Sequence, residues 1–125
     1  MASVRGKNTK PEMDVRRLVY SLGYRYRLHG KGLPGRPDLV FKKRRKVIFI
    51  HGCFWHHHKN CLKSRLPSNK VDFWRKKMAD NLRRDRRNQN DLAKAGWEAL
   101  VIWECELKDV ADLEKRIKTF IEFNS

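Results

Sequence analysis

The sequence predicts an α/β fold, a mixed β-sheet flanked by helices. Two apolar strand patterns carry that expectation: Val47-Ile48-Phe49-Ile50, and WEALVIW over residues 97–103. A long helical stretch separates them, and a strand–helix–strand crossover makes the two strands parallel neighbours. At 125 residues the chain is long enough for one core, so residues 1–125 are read as a single domain.

The elements follow in order. Residues 1–8 are short, polar and expected to be flexible. Thr9-Lys10-Pro11-Glu12 fits a capping box, with Thr9 as N-cap and Glu12 three residues on. Pro11 is tolerated there because a first-turn N–H has no helical partner to lose. Val15, Leu18, Val19 and Leu22 then repeat at helical spacing, and Gly23 ends the helix. Tyr24, Tyr26 and Leu28 alternate with Arg25, Arg27 and His29, which predicts a strand with one wet face. Residues 30–37 are rich in Gly and Pro and read as a connection. Residues 38–41 form a second strand, and the basic tetrad 43–46 turns it into the central one. Pro67 and Ser68 precede a helix over about residues 71–95, stopped by Gly96. Phe73, Trp74, Met78 and Leu82 are its expected buried side, with Arg75, Lys76, Arg83, Arg84, Arg86 and Arg87 opposite. Val110, Leu113, Ile117, Phe120 and Ile121 predict a closing amphipathic helix.

Charge narrows the function classes. Lys and Arg total 30 against 14 acidic residues, a formal net charge of +16. A fold does not need that excess, which points to a polyanionic partner, most simply nucleic acid. No helix pattern sets one clean apolar face against a basic one, which disfavours a membrane surface. No stretch is apolar enough to span a bilayer, and residues 1–10 lack a hydrophobic signal core. The expected setting is the cytoplasm, at the nucleoid, where thiols stay reduced. An odd count of three cysteines further disfavours a disulfide framework.

The chemistry gathers after the central strand. Cys53, His56, His57, His58 and Cys61 follow Gly52, and Cys105 lies just past the last strand. Three thiolates and one histidine make a closed tetrahedral zinc centre, structural rather than catalytic. His58 is the choice for the fourth ligand. Separately, Asp38 opens one strand and His51 ends its neighbour. That pairing suits a carboxylate holding Mg²⁺ and an imidazole activating water or steadying a phosphate. A turn aspartate after proline would look the same.

GRPDLVF, VIFIHGCFWHHH, RRDRR and VIWEC together resemble the very-short-patch-repair (Vsr) mismatch endonucleases, over about residues 7–105. The resemblance implies a restriction-endonuclease-like fold with a structural zinc site. It also implies Mg²⁺-dependent nicking of one strand beside a T·G mismatch left by deamination of 5-methylcytosine. It places the catalytic metal on Asp38 and the Ile50 carbonyl, the active-site histidines on His51 and His56, and supporting carboxylates on Glu12 and Asp85. His56 is the water activator. Zinc falls on Cys53, His58, Cys61 and Cys105. Phe54 and Trp55 match an aromatic wedge pushed into the base stack, where a mispaired step costs less to open. Lys77 and Asn81 match residues that touch the mismatched bases. The family's longer N-terminal arm is represented here by Met1 and Val4 at most.

A monomeric nickase acting on mismatched double-stranded DNA, alongside other repair proteins, is therefore the leading expectation. Two alternatives share these features. One is a catalytic domain of the same kind used by a site-specific, homing-type endonuclease; the other is a zinc-containing DNA-binding module without activity.

Overall fold

The computed structural model describes residues 9–53 and 70–123. The first helix, α1, spans Lys10–Ser21, with Thr9 as its N-cap. Thr9 Oγ1 accepts the N–H of Glu12, and Pro11 sits in the first turn as expected. The carboxylate of Glu12 turns inward, and Glu12 is buried together with Val15 and Val19. After Leu22 the chain leaves the helix through Gly23, whose φ of +96° favours glycine.

The expected strand over residues 24–29 is reduced to β1, Arg27–Leu28. Its alternation survives in part: Tyr24 and Tyr26 pack against the core, while Arg25 and Arg27 are exposed. β2 is Leu39–Phe41, and a 3₁₀ turn, Lys42–Arg44, leads into β3, Lys46–His51. The long helix α2 spans Val71–Lys94, β4 spans Glu98–Trp103, and α3 spans Val110–Glu122. A second 3₁₀ turn, Glu104–Lys108, joins β4 to α3.

Among the described residues the sheet has the order β1-β2-β3-β4. β1–β2 and β2–β3 are antiparallel, and β3–β4 is parallel, with Lys46 opposite Glu98 and His51 opposite Trp103. The predicted mixed sheet and its parallel crossover are thus both present. Lying at an edge, β4 is mostly half-buried, and only Ile102 in it is fully covered.

The two sheet faces carry separate cores. Leu39, Phe41, Ile48 and Ile102 pack with Val15 and Val19 of α1 and with Leu113, Ile117 and Ile121 of α3. Val40, Val47 and Phe49 pack on the other face with Leu92 of α2. The apolar stripe expected for α2 needs correcting. Among its described side chains Met78 and Leu92 are the buried apolar ones, whereas Phe73 is 56% exposed. Adjacent residues lie about 100° apart on a helix, so Phe73 and Trp74 cannot both face inward. Val110 in α3 is likewise exposed.

One end of the sheet is closed by the basic turn. Arg44 donates to the carbonyl of Ile121, and Arg45 to that of Ala95. The ammonium of Lys46, itself 2% exposed, donates to the carbonyls of Phe120, Ile121 and Phe123 and lies 3.5 Å from Glu98. These groups are the orphan acceptors at the C-terminal ends of α2 and α3, so the cations meet the negative end of each helix dipole. Beside them Tyr24 donates to Glu122. Burial first, and then the hydrogen bond and charge of that carboxylate, push its hydroxyl pKa up to about 12. No described helix is long and apolar enough to cross a membrane.

Candidate active site and metal centre

β2 starts where β3 and β4 end, so three strand termini meet at the end of the sheet opposite the basic turn. Asp38 immediately precedes β2. Its N–H donates to Ile48 O at 3.0 Å, and its Oδ2 accepts the N–H of Ile50 at 2.7 Å. The carboxylate is thereby fixed against the last turn of β3. In a strand the N–H and C=O of one residue point to the same edge. The carbonyl of Ile50 therefore points toward the Asp38 side.

His51 comes next and lies on the α2 face, 6% exposed. Its ring stands edge-on to Trp103 at 5.1 Å and tilted to Phe49 at 5.7 Å. These two aromatic contacts restrict the orientation of the imidazole.

The loop delivering Asp38 is pinned to α2. Gly35 has a φ of +78°, and a Cβ there would meet Asn88 Cβ and Phe49 Cε1, each at 3.1 Å. Asn88 thus lies level with Phe49. Asp85 is one turn earlier on the same half-buried side of α2, nearer the carboxyl end of β3. At about 1.5 Å per residue, Asn81 and Lys77 lie roughly 10 and 16 Å up the helix from Asn88, beyond the strand ends. Lys77 is exposed there and Asn81 half-buried. The outward side of α2 carries Arg75, Lys76, Arg83, Arg84, Arg86 and Arg87, all exposed.

Glu12 reaches this region from α1. Its carboxylate is 2.7 Å from His29 Nε2 and 3.6 Å from Arg16 Nη1. The alternation of residues 24–29 had put His29 on the wet face with Arg25 and Arg27. A left-handed backbone at His29, φ +50°, turns it the other way. Glu12 and His29 are 17 residues apart in different elements, so no spacing in the sequence signals the pair.

Two of the proposed zinc ligands are described. Cys53 is fully buried, and Cys105 lies in the 3₁₀ turn after β4. Each follows a paired residue, His51 or Trp103, by two positions, so the two thiols leave neighbouring parallel strands at equivalent points. The N–H of Cys53 is 3.4 Å from Glu104 Oε1, which ties the two exits together. His58 and Cys61 lie outside the described residues, as do His56, Phe54, Trp55, Met1 and Val4. Among the described residues no group of three or more His, Cys, Asp or Glu side chains could hold a metal.

Asp38, the Ile50 carbonyl and His51 thus lie at one end of a mixed sheet, donor types suited to phosphodiester hydrolysis. The chain superposes on the catalytic domain of the homing endonuclease I-Bth0305I with a TM-score of 0.65, at 20% identity, covering 90% of this chain and 94% of that one. The model of the family described as DNA mismatch endonuclease Vsr matches residues 1–63, which include Glu12, Asp38, Ile50, His51 and Cys53. The chain is 49% identical over 122 residues to the type II nicking enzyme V.XorIIP of Xanthomonas oryzae pv. oryzae, covering 98% of this chain and 89% of that protein. It is 40% identical over 108 residues to the DNA mismatch endonuclease Vsr of Escherichia coli K12, covering 86% and 69%. The protein belongs to the Vsr family of DNA endonucleases.

Proposed function

We propose that this chain nicks one strand of duplex DNA beside a T·G mismatch, in a Mg²⁺-dependent hydrolysis. The observation that carries the reading is the bond from Ile50 N–H to Asp38 Oδ2, which fixes a carboxylate against the strand end that bears the Ile50 carbonyl and His51. Relatives named as nicking enzymes and as a mismatch endonuclease support the reaction and the substrate.

The donors suit the metal. Mg²⁺ takes hard oxygen ligands, keeps several waters and is commonly held by one or two carboxylates plus substrate phosphate. Asp38 and the carbonyl of Ile50 would hold it, and when bound it supplies positive charge to the scissile phosphate and acidifies bound water. His51 steadies that phosphate, and His56 takes the proton from the attacking water. Glu12 and Asp85 orient this group from α1 and α2. Lys77 and Asn81 touch the mismatched bases beyond the strand ends, while Phe54 and Trp55 open the base step. Met1 and Val4 supply what apolar contact the arm makes. The arginines on the outward side of α2 neutralise backbone phosphates.

Cys53, His58, Cys61 and Cys105 suit a closed tetrahedral zinc centre, since soft thiolates and an imidazole are its usual donors. The adjacent exits of Cys53 and Cys105 support that assignment. Zinc there would brace the segment that carries Phe54, Trp55 and His56. A monomer with one site cuts one strand per binding event.

End-labelled duplexes, matched and T·G-mismatched, with Mg²⁺ or EDTA, test the reading. It expects a single Mg²⁺-dependent nick confined to the mismatched duplex. Cuts in both strands of matched DNA would favour a homing-type catalytic domain. Bound but intact DNA would leave a binding module.

A further inference from the structure

We propose that His29 is a positioning residue that couples Glu12 of α1 to the Asp38 carboxylate during strand cleavage. The inference rests on Asp38 being the metal-holding group.

His29 makes two contacts in opposite directions. Its N–H donates to the carbonyl of Asp38 at 2.9 Å, extending the β1–β2 ladder by one residue. Its ring Nε2 sits 2.7 Å from Glu12 Oε2. Asp38 in turn accepts from Ile50, the residue before His51. A continuous run of contacts therefore leads from the buried end of α1 through His29 to the reacting end of β3.

Three features separate this from simple anchoring. A left-handed backbone is uncommon for any residue but glycine, and such conformations persist where the surroundings require them. The buried Glu12 carboxylate already has a cation on its own helix, Arg16, so charge balance does not explain the second partner. The side chain of His29 also remains 25% exposed while that of Glu12 is 2% exposed, so the imidazole lies between the carboxylate and solvent at this end of the sheet. Deleting the ring would remove the contact that ties Glu12 to the Asp38 strand while leaving the Thr9 cap of α1 and the β1–β2 pairing in place.

Single-turnover nicking of the T·G duplex, DNA affinity in EDTA and thermal melting distinguish the possibilities. His29→Gly keeps the backbone N–H and suits the left-handed φ, but removes the ring. It should bind DNA like the wild type and melt somewhat lower, because a buried carboxylate loses one partner. Its folded fraction should nevertheless nick about 10- to 100-fold more slowly, the usual cost of losing a group that orients a metal ligand. His29→Gln restores a side-chain donor and should stay within about threefold of the wild-type rate. Combined with Glu12→Gln, His29→Gly should add nothing further, because the pair acts as a unit. Wild-type nicking by His29→Gly, an equal loss in His29→Gln, or additive losses in the double variant would each overturn the proposal. A wild-type enzyme that nicks no duplex would overturn the functional reading and this inference with it. A wild-type nick that His29→Gly reproduces at full rate overturns this inference alone.

Discussion

Lys46 shows what a buried charge does in this protein. A fully covered ammonium is costly unless every proton finds an acceptor. Lys46 meets that condition with three carbonyls at the end of α3 and with Glu98 across the parallel strand pair. Lys46→Met should lower unfolding free energy by about 1–3 kcal/mol, the cost of stranding buried acceptors. Denaturant unfolding reads that loss, and the nicking rate of the folded fraction should be unchanged, because Lys46 lies at the far end of β3 from Asp38. In the sequence this residue ends a run of five consecutive basic positions, 42–46. Nothing in such a run tells a helix cap from a phosphate contact, since the distinction depends on where residues 120–123 return.

At the scale of the element, α2 joins the core to an exposed basic surface. Its inward residues Met78 and Leu92 anchor it, and Asn88 receives the Gly35 turn that delivers Asp38. Gly35→Ala places a methyl group against Asn88 and Phe49 on a backbone that side chains rarely adopt. It should cost roughly 1–2 kcal/mol of stability. It should also slow nicking, since the loop must shift to relieve the clash. Melting of Gly35→Ala beside its single-turnover rate checks both, and a variant as stable and active as the wild type would show that the turn has slack.

The position of α2 was legible from the helical spacing and from Gly96, which does stop the helix with a φ of +88°. Its apolar stripe was harder to read, because Phe73 and Trp74 compete for one side and Leu92 lies about five turns beyond them. The capping box at Thr9 illustrates a different limit. Thr9 caps α1 as its pattern implies, but the Glu12 that completes the pattern points inward to His29 and Arg16. A local motif describes backbone needs and says nothing about a long-range partner.

Across the whole molecule the two ends of the sheet differ in role. One end spends Arg44, Arg45 and Lys46 on helix termini, so part of the +16 net charge is structural. The other end gathers Asp38, Ile50, His51, Cys53 and Cys105 at strand termini, with the exposed arginines of α2 alongside. Parallel pairing was readable from the crossover between the two apolar strands, and it is what brings Cys105 level with Cys53. Zinc at this end should make overall stability depend on the metal. Cys105→Ser should therefore lower both bound zinc and melting temperature, as should chelation of the wild type. Zinc content by atomic absorption alongside calorimetry checks this, and an unchanged melting temperature in the variant would count against a structural metal.

The central claim is that the Asp38 carboxylate, held by Ile50 beside His51, is the reaction centre. Asp38→Asn retains an acceptor for the Ile50 N–H and removes the charge, so it changes chemistry with little change of shape. Its single-turnover rate on a T·G duplex in Mg²⁺, measured with DNA affinity, is the most direct test. The account predicts wild-type affinity and no detectable nick; a variant that nicks at the wild-type rate would contradict it.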